Sequence, residues 1–354
     1  MRLANLSFGL ILGLGMLLAP LIVPSLAAQE VEDHQFFPGD SARVLRVLST
    51  TDLAVFAPYI RAFQAERPDI GVDYTVMSSS MLHQAIRGGM RADLVISSAM
   101  DLQFQLVNDG FARPYRSEQT DALPDWARWR DLIFAFTTEP AVVVVNSARF
   151  HGMELPTTRQ DLIAILRDNP DRFAGALGTY DVRDSGLGYL FATQEDRSTD
   201  VFWRLNEVFG RLGTQLYCCS SQMISDVATG RLALAYNVLG SYAAEELARG
   251  SGGRVQVLRM QDFSNVMLRT LFIAQTAEER EAAGAMVDML SRLALRDAPG
   301  MWPLPPLNPA VEGPSMGFGP IRLGPALLAY LDPLNRRAFL TEWENAVVQQ
   351  SQAR

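Results

Sequence analysis

Short apolar runs alternate with stretches of helical periodicity along most of the chain. Val44–Leu48 is an apolar run that ends in Ser49-Thr50-Thr51-Asp52, after which Leu53, Phe56, Tyr59, Ile60 and Phe63 recur at helix spacing. This is the pattern of a strand, a turn of capping residues and a helix. The unit then recurs twice. Gly71–Met77, with Val72, Tyr74 and Val76 alternating, leads through Ser78-Ser79-Ser80 into a helix over Met81–Arg87, and Ala92–Ile96 leads through Ser97-Ser98 into Asp101–Asn108. Residues 28–43 read as an exposed polar lead-in, and 111–135 as irregular. The β-branched run Ala141–Asn146 predicts a buried central or crossing strand.

The alternation then resumes. Helices are predicted over Arg159–Arg167, Thr199–Phe209, Ser220–Thr229, Gly240–Arg249 and Ala277–Leu295, and strands over Phe173–Leu177, Thr214–Cys219, Leu232–Tyr236 and Val266–Ile273. A Pro- and Gly-rich cover over 299–325 precedes closing helices at Ala326–Tyr330 and Asn335–Val348. Strands alternating with helices define an α/β protein.

Two features carry candidate chemistry. In an open α/β sheet, ligands sit outside the carboxyl ends of the strands, so the three hydroxyl-rich turns form a polar wall. Each is equally an ordinary helix cap taken alone. The second feature is Thr179–Tyr189, a strand end, a tight turn and a helix start. Here Gly186 and Gly188 allow close backbone approach, Ser185 can cap the helix, and Arg183 adds a cationic fork, a combination suited to an anion. The alternative for Arg183 is a surface pair with Asp181 or Asp184.

Composition narrows the classes. Arg2, the uncharged apolar run Phe8–Val23 and Pro24-Ser25-Leu26-Ala27-Ala28 predict a secretory signal peptide over residues 1–27, too short and too rich in Gly and Pro for a spanning helix. An exported, periplasmic product follows. With 31 basic residues against 39 acidic, bulk charge does not favour nucleic acid. The chain has no lysine, which removes Schiff-base and P-loop chemistry. Its two cysteines, Cys218 and Cys219, are adjacent and read as free or structural thiols, with a vicinal disulfide or a clamp for a soft metalloid such as arsenite as alternatives. His34, His83 and His151 lack metal-ligand spacing, so no metal site and no cofactor are predicted.

The export signal, the Ser-Thr-Thr-Asp turn, Ala92–Gln103, the run Ala141–Asn146 and the ending Arg336–Glu344 together resemble the periplasmic solute-binding proteins of ABC-type uptake systems. The similarity spans the chain after residue 27 and is nearest to the iron(III)/phosphosugar branch, which includes regulatory proteins of phosphoglycerate uptake. The resemblance implies a two-lobed, type II periplasmic-binding-protein fold with crossing hinge strands that closes on its ligand. It implies lobe 1 over 44–139 and 270–354, and lobe 2 over 145–262. Matching the family's ligand loops gives Ser49, Thr50, Thr51, Ser79, Ser80, Ser97 and Ser98 from one lobe. The other contributes Arg183, Ser185, Gly186, Ser220, Ser221 and Asn237. Iron(III) binders of the branch use adjacent tyrosines, whereas this chain has Tyr236 and Tyr242 six apart.

The resulting expectation is a binding protein without catalysis. It captures a small organic anion, phosphorylated or carboxylate, and presents it as a monomer to an ABC permease or a sensor histidine kinase. Iron(III) binding or metalloid sensing is the alternative. A hydrolase using Ser185 is a third class. Asp184-Ser185-Gly186 lacks the flanking glycines of the trypsin-like motif, and the alternating strands and helices argue against that fold.

Overall fold

The computed structural model describes residues 31–251, 253–296, 302–307 and 320–349. The predicted signal peptide lies outside them, as does much of the Pro- and Gly-rich cover. The first lobe opens with β1 (Asp33–Phe37), β2 (Arg43–Ser49), α1 (Leu53–Glu66), β3 (Ile70–Val76), α2 (Ser79–Arg87), β4 (Leu94–Ser97) and α3 (Met100–Asn108). Short elements β5 (Ala112–Arg113), α4 (Glu118–Asp121) and β6 (Arg128–Trp129) lead to the long strand β7 (Ile133–Asn146). Then come α5 (Arg159–Asp168), α6 (Pro170–Phe173), β8 (Leu177–Tyr180), α7 (Gly186–Ser198), α8 (Val201–Arg211), β9 (Gln215–Tyr217), α9 (Ser220–Ala228), β10 (Leu234–Leu239), α10 (Gly240–Glu246) and β11 (Val255–Leu258). The chain closes through β12 (Val266–Ala274), α11 (Arg280–Ala294) and α12 (Pro333–Trp343).

The fold is mixed α/β, with twelve strands in the order β1-β3-β2-β4-β12-β7-β10-β8-β9 and the short β5, β6 and β11 paired to the side. Strand β2 runs parallel to β3 and β4, and β8 runs parallel to β9 and β10, so each end of the array is a parallel α/β unit. The centre is antiparallel. Residues 134–140 of β7 pair with β12, and residues 141–146 pair with β10 and β11. One strand therefore belongs to both lobes. It is buried almost throughout, which explains its β-branched composition.

Three departures from the sequence reading have physical causes. The lead-in contains β1, a five-residue edge strand with mostly exposed side chains, which pairs antiparallel with β3 and carries no apolar run to announce it. The strand expected over Phe173–Leu177 begins at Leu177, because Pro170 starts the short helix that buries Phe173. The closing helix was assigned with the first lobe. Instead Phe339, Trp343 and Val347 pack with Tyr189, Ala192 and Phe202 of α7 and α8 in an apolar cluster, so the C-terminal segment rides on the second lobe.

Candidate functional site: the cleft between the lobes

The carboxyl ends of β2, β3 and β4 open into α1, α2 and α3 through turns that share one arrangement. In each, the first hydroxyl folds back on its own chain. Ser49 Oγ accepts from the Thr51 N–H at 3.0 Å, Ser78 Oγ from Met81 N–H at 3.3 Å, and Ser97 Oγ from Ala99 N–H at 3.1 Å. The second hydroxyl of each pair, on Thr50, Ser79 and Ser98, faces the cleft. Thr50 and Ser98 are 3.3 Å apart through their hydroxyls, and the Ser98 N–H donates to Thr50 Oγ1 at 3.1 Å. Turn-bonding and cleft-facing roles are thus divided between neighbours after β2 and β4, whereas Ser78 both caps α2 and lines the cleft beside Ser79.

The opposite wall comes from the second lobe. Ser185 caps α7, accepting from the Gly188 N–H at 3.2 Å, and donates to the Cys218 carbonyl at 3.0 Å. Ser220 Oγ accepts from the Leu239 N–H at 3.0 Å and meets the Tyr180 hydroxyl at 2.5 Å. Cys218 and Cys219 are joined as a vicinal disulfide that lines the cleft, so the thiol expectation gives way to its alternative. Among the described residues, the hydroxyls of Ser79 and Ser221 make no hydrogen bond. The Tyr242 hydroxyl accepts from the Asp52 N–H at 3.3 Å and donates to Asp52 Oδ1 at 3.1 Å, tying the walls together at the base.

The enclosed volume is about 60 Å³. That is small beside the ~300–1,000 Å³ typical of drug-sized ligands. Among the described residues, its charged lining residues are Asp52 and Glu32, with no arginine or histidine. Positive potential comes instead from the backbone, because the N-terminal ends of α1, α2, α3, α7 and α9 all contribute residues to the walls.

The two lobes touch where Gly186 starts α7. A Cβ at Gly186 would lie 2.6 Å from Leu102 Cδ1 and 2.8 Å from Ser79 Oγ, so the missing side chain allows lobe to approach lobe. Gly188 is needed for packing inside its own lobe, since a Cβ there would lie 2.3 Å from Tyr180 Cβ. Both glycines serve close protein contacts. The Ser80 hydroxyl adds a bond to the Asp184 carbonyl across the junction.

Beneath the cleft the crossing strands carry a buried ion pair. Arg269 of β12 and Glu139 of β7 are both fully buried, with Nε to Oε1 at 2.9 Å. Arg269 Nη1 donates to Thr51 Oγ1 at 2.6 Å, and the Ser241 hydroxyl of α10 donates to Glu139. The network therefore reaches both lobes. Burial works against the charge on Arg269, but the neighbouring Glu139 carboxylate outweighs it and keeps the guanidinium charged, while burial drives the Tyr242 phenol well above its ordinary value and keeps it protonated.

Of the sequence-selected residues, Thr50, Ser79, Ser98, Ser185, Ser220 and Ser221 line the cleft. The others are elsewhere. Ser49 and Ser97 are buried and bond within their own turns, and Thr51 faces Arg269. Arg183 lies outside the cleft, its fork closed on Asp181 at 2.8 and 2.5 Å, and Gly186 and Ser80 line the neighbouring pocket at the lobe junction with it. Asn237 is buried at a β-bulge with φ of 59° and does not reach the cleft walls. Tyr236 donates to Glu195 at 3.0 Å and accepts from Arg159 Nε at 2.7 Å inside the second lobe, with its phenol pushed well up by burial. Asp52, Tyr180 and Tyr242 were missed, although Asp52 stands in the Ser-Thr-Thr-Asp turn itself.

Residues 49–207 match the model of the family of bacterial extracellular solute-binding proteins. The two-lobed type II fold and the cleft agree with this match, and the chain is similar to the extracellular solute-binding proteins of ABC transport, a class without catalytic activity. Binding proteins of this family deliver small ligands to ABC permeases. The substrate binding protein of an ABC transporter from Agrobacterium tumefaciens is 29% identical, with a TM-score of 0.82 over 89% of this chain and 98% of that one. Two further structures share the fold at lower identity. AfuA from Actinobacillus pleuropneumoniae with fructose-6-phosphate bound is 15% identical (TM-score 0.65, 88% and 99% covered). Iron-bound HitA from Pseudomonas aeruginosa is 14% identical (TM-score 0.63, 86% and 99% covered). A search of the curated proteins found no match.

Proposed function

We propose that the cleft captures a small organic anion, a phosphate ester or a carboxylate, in the periplasm and presents it to a membrane partner. The observation that carries this reading is the convergence of five helix N-termini and the second hydroxyls of three turns on one small cavity that has no cationic side chain among the described residues. Oriented N–H groups and hydroxyls suit phosphate or carboxylate oxygens. Asp52 and Glu32 suit the hydroxyl groups of a sugar or a glycerate. The fructose-6-phosphate in AfuA supports a ligand of this kind on this fold.

Iron(III) is the weaker reading. Among the described residues no group of three or more His, Cys, Asp or Glu is placed to hold a metal ion. The phenols nearest the cleft, Tyr180 and Tyr242, are held protonated by burial. Ligand contacts to both walls stabilise the closed form, and the partner reads closure. The lobes in this reading are residues 44–139 with 270–330, and residues 145–262 with the C-terminal helix. An ABC permease is the partner in a delivery role, and a sensor kinase in a signalling role.

Thermal-shift measurements on the purified protein against sugar phosphates, phosphoglycerates, citrate, iron(III) and arsenite test the proposal. Saturable stabilisation by one of the organic anions is expected. Stabilisation by iron(III) or arsenite alone contradicts it.

A further inference from the structure

A second cavity, of about 280 Å³, lies at the lobe junction on the far side of the Ser80–Asp184 contact. Its first-lobe wall includes His83, Gln84 and Gln105. Its second-lobe wall includes Arg183, Tyr189 and Arg336. It shares only Ser185 with the ligand cleft. Three features distinguish it from a passive surface groove. The Arg336 guanidinium rests 5.4 Å over the Tyr189 ring and forms no ion pair among the described residues. His83 Nε2 is buried and has no hydrogen-bond partner among the described residues, although a buried ring nitrogen ordinarily has one. Arg183 adds positive charge while its fork is held by Asp181.

We propose that this junction pocket is a second solute site, taking a small oxyanion such as phosphate between Arg336 and His83. The anion would satisfy both groups at once, one from each lobe, and its occupancy holds the lobes together. By linkage, it then strengthens binding in the cleft, whatever the cleft holds.

The charged groups acting on His83 are Arg87, Arg336 and Asp109, and the Gln105 side chain acts on it as well. Desolvation and Arg87 push the imidazole below its ordinary value, so the ring is neutral at neutral pH. Asp184 also lines the pocket, and Asp101 acts on Arg336 from beneath. An oxyanion beside His83 offsets the desolvation and raises its titration midpoint.

The test follows the imidazole signals of the full protein by NMR during titration with inorganic phosphate, His83→Gln identifying the relevant resonance. His83 is expected to shift saturably, with its titration midpoint moved upward. Arg336→Gln should weaken the phosphate response about tenfold, as for loss of one charge-assisted hydrogen bond, without altering the melting temperature. Thr50→Val, in the cleft, should leave the His83 response in place. An unmoved His83 overturns the proposal. So does a response that is unchanged in Arg336→Gln, or one lost in Thr50→Val, because phosphate would then be acting through the cleft or through no site at all. The cleft reading stands or falls separately, on the thermal-shift screen.

Discussion

The two walls of the cleft are made from the same residue types and used differently. On the first lobe, paired hydroxyls split the work after β2 and β4, where Ser49 and Ser97 bond within their own turns while Thr50 and Ser98 face the cavity; Ser78, which caps α2, lines the cavity with Ser79. On the second lobe, Ser185 and Ser220 are committed to Cys218, Gly188, Leu239 and Tyr180, leaving Ser221 without a partner among the described residues. The first wall is receptive, and the second is a stiff face braced by its own bonds and by the vicinal disulfide. A residue type therefore says little about ligand contact until its hydrogen bonds are counted.

The largest effect is expected where both walls are tied to the hinge. Glu139→Ala leaves Arg269 charged and buried without its partner, and should cost about 3–5 kcal/mol of stability in denaturant unfolding. An unchanged midpoint would mean that the crossing strands do not hold the walls in register.

Next comes a pH effect confined to the first lobe. Asp101, at the start of α3, is fully buried with Oδ1 lacking a partner among the described residues, and desolvation raises its carboxyl to about 7. A raised folded-state value favours the protonated form. Its contribution is fully present below the ordinary value of ~4 and is lost as pH rises through 7. Melting temperature should therefore fall between pH 5 and 8 more steeply in the native protein than in Asp101→Asn.

Smaller, opposed effects separate the members of each hydroxyl pair. Ser97→Ala removes a hydrogen bond within its turn and should cost about 1 kcal/mol of stability with ligand affinity nearly intact. Ser98→Ala should do the reverse, weakening ligand binding about tenfold with little change in melting. If Ser97→Ala weakens binding as much as Ser98→Ala, the division within that pair is wrong. Smallest of all, Arg183→Ala should change cleft affinity by less than about twofold, because its guanidinium is already paired outside the cleft.

The strand–turn–helix units of the first lobe were legible because each strand is an apolar run and each turn a cluster of capping residues. The first half of β7 was not. Ile133–Pro140 mixes aromatic, hydroxyl and charged residues with a proline, and only its pairing with β12 makes it a strand. Of the site, sequence found the hydroxyls but could not tell which member of a pair caps, since that depends on φ, ψ and a distance of about 3 Å. The Glu139–Arg269 pair lies 130 residues apart along the chain, and no local pattern reveals it. Of the two readings of Arg183, the geometry matches the surface pair, since Asp181, two residues earlier, occupies its fork.

The central claim is that the first-lobe hydroxyls facing the cavity bind a small organic anion. Calorimetric titration of the native protein and of the double variant Thr50→Val/Ser98→Ala, with the sugar phosphate or phosphoglycerate that stabilises the native protein most, tests it directly. One saturable site is predicted in the native protein, weakened at least about tenfold in the variant at an unchanged melting temperature. Equal binding by both proteins, or no binding of any such anion by the native one, contradicts the account.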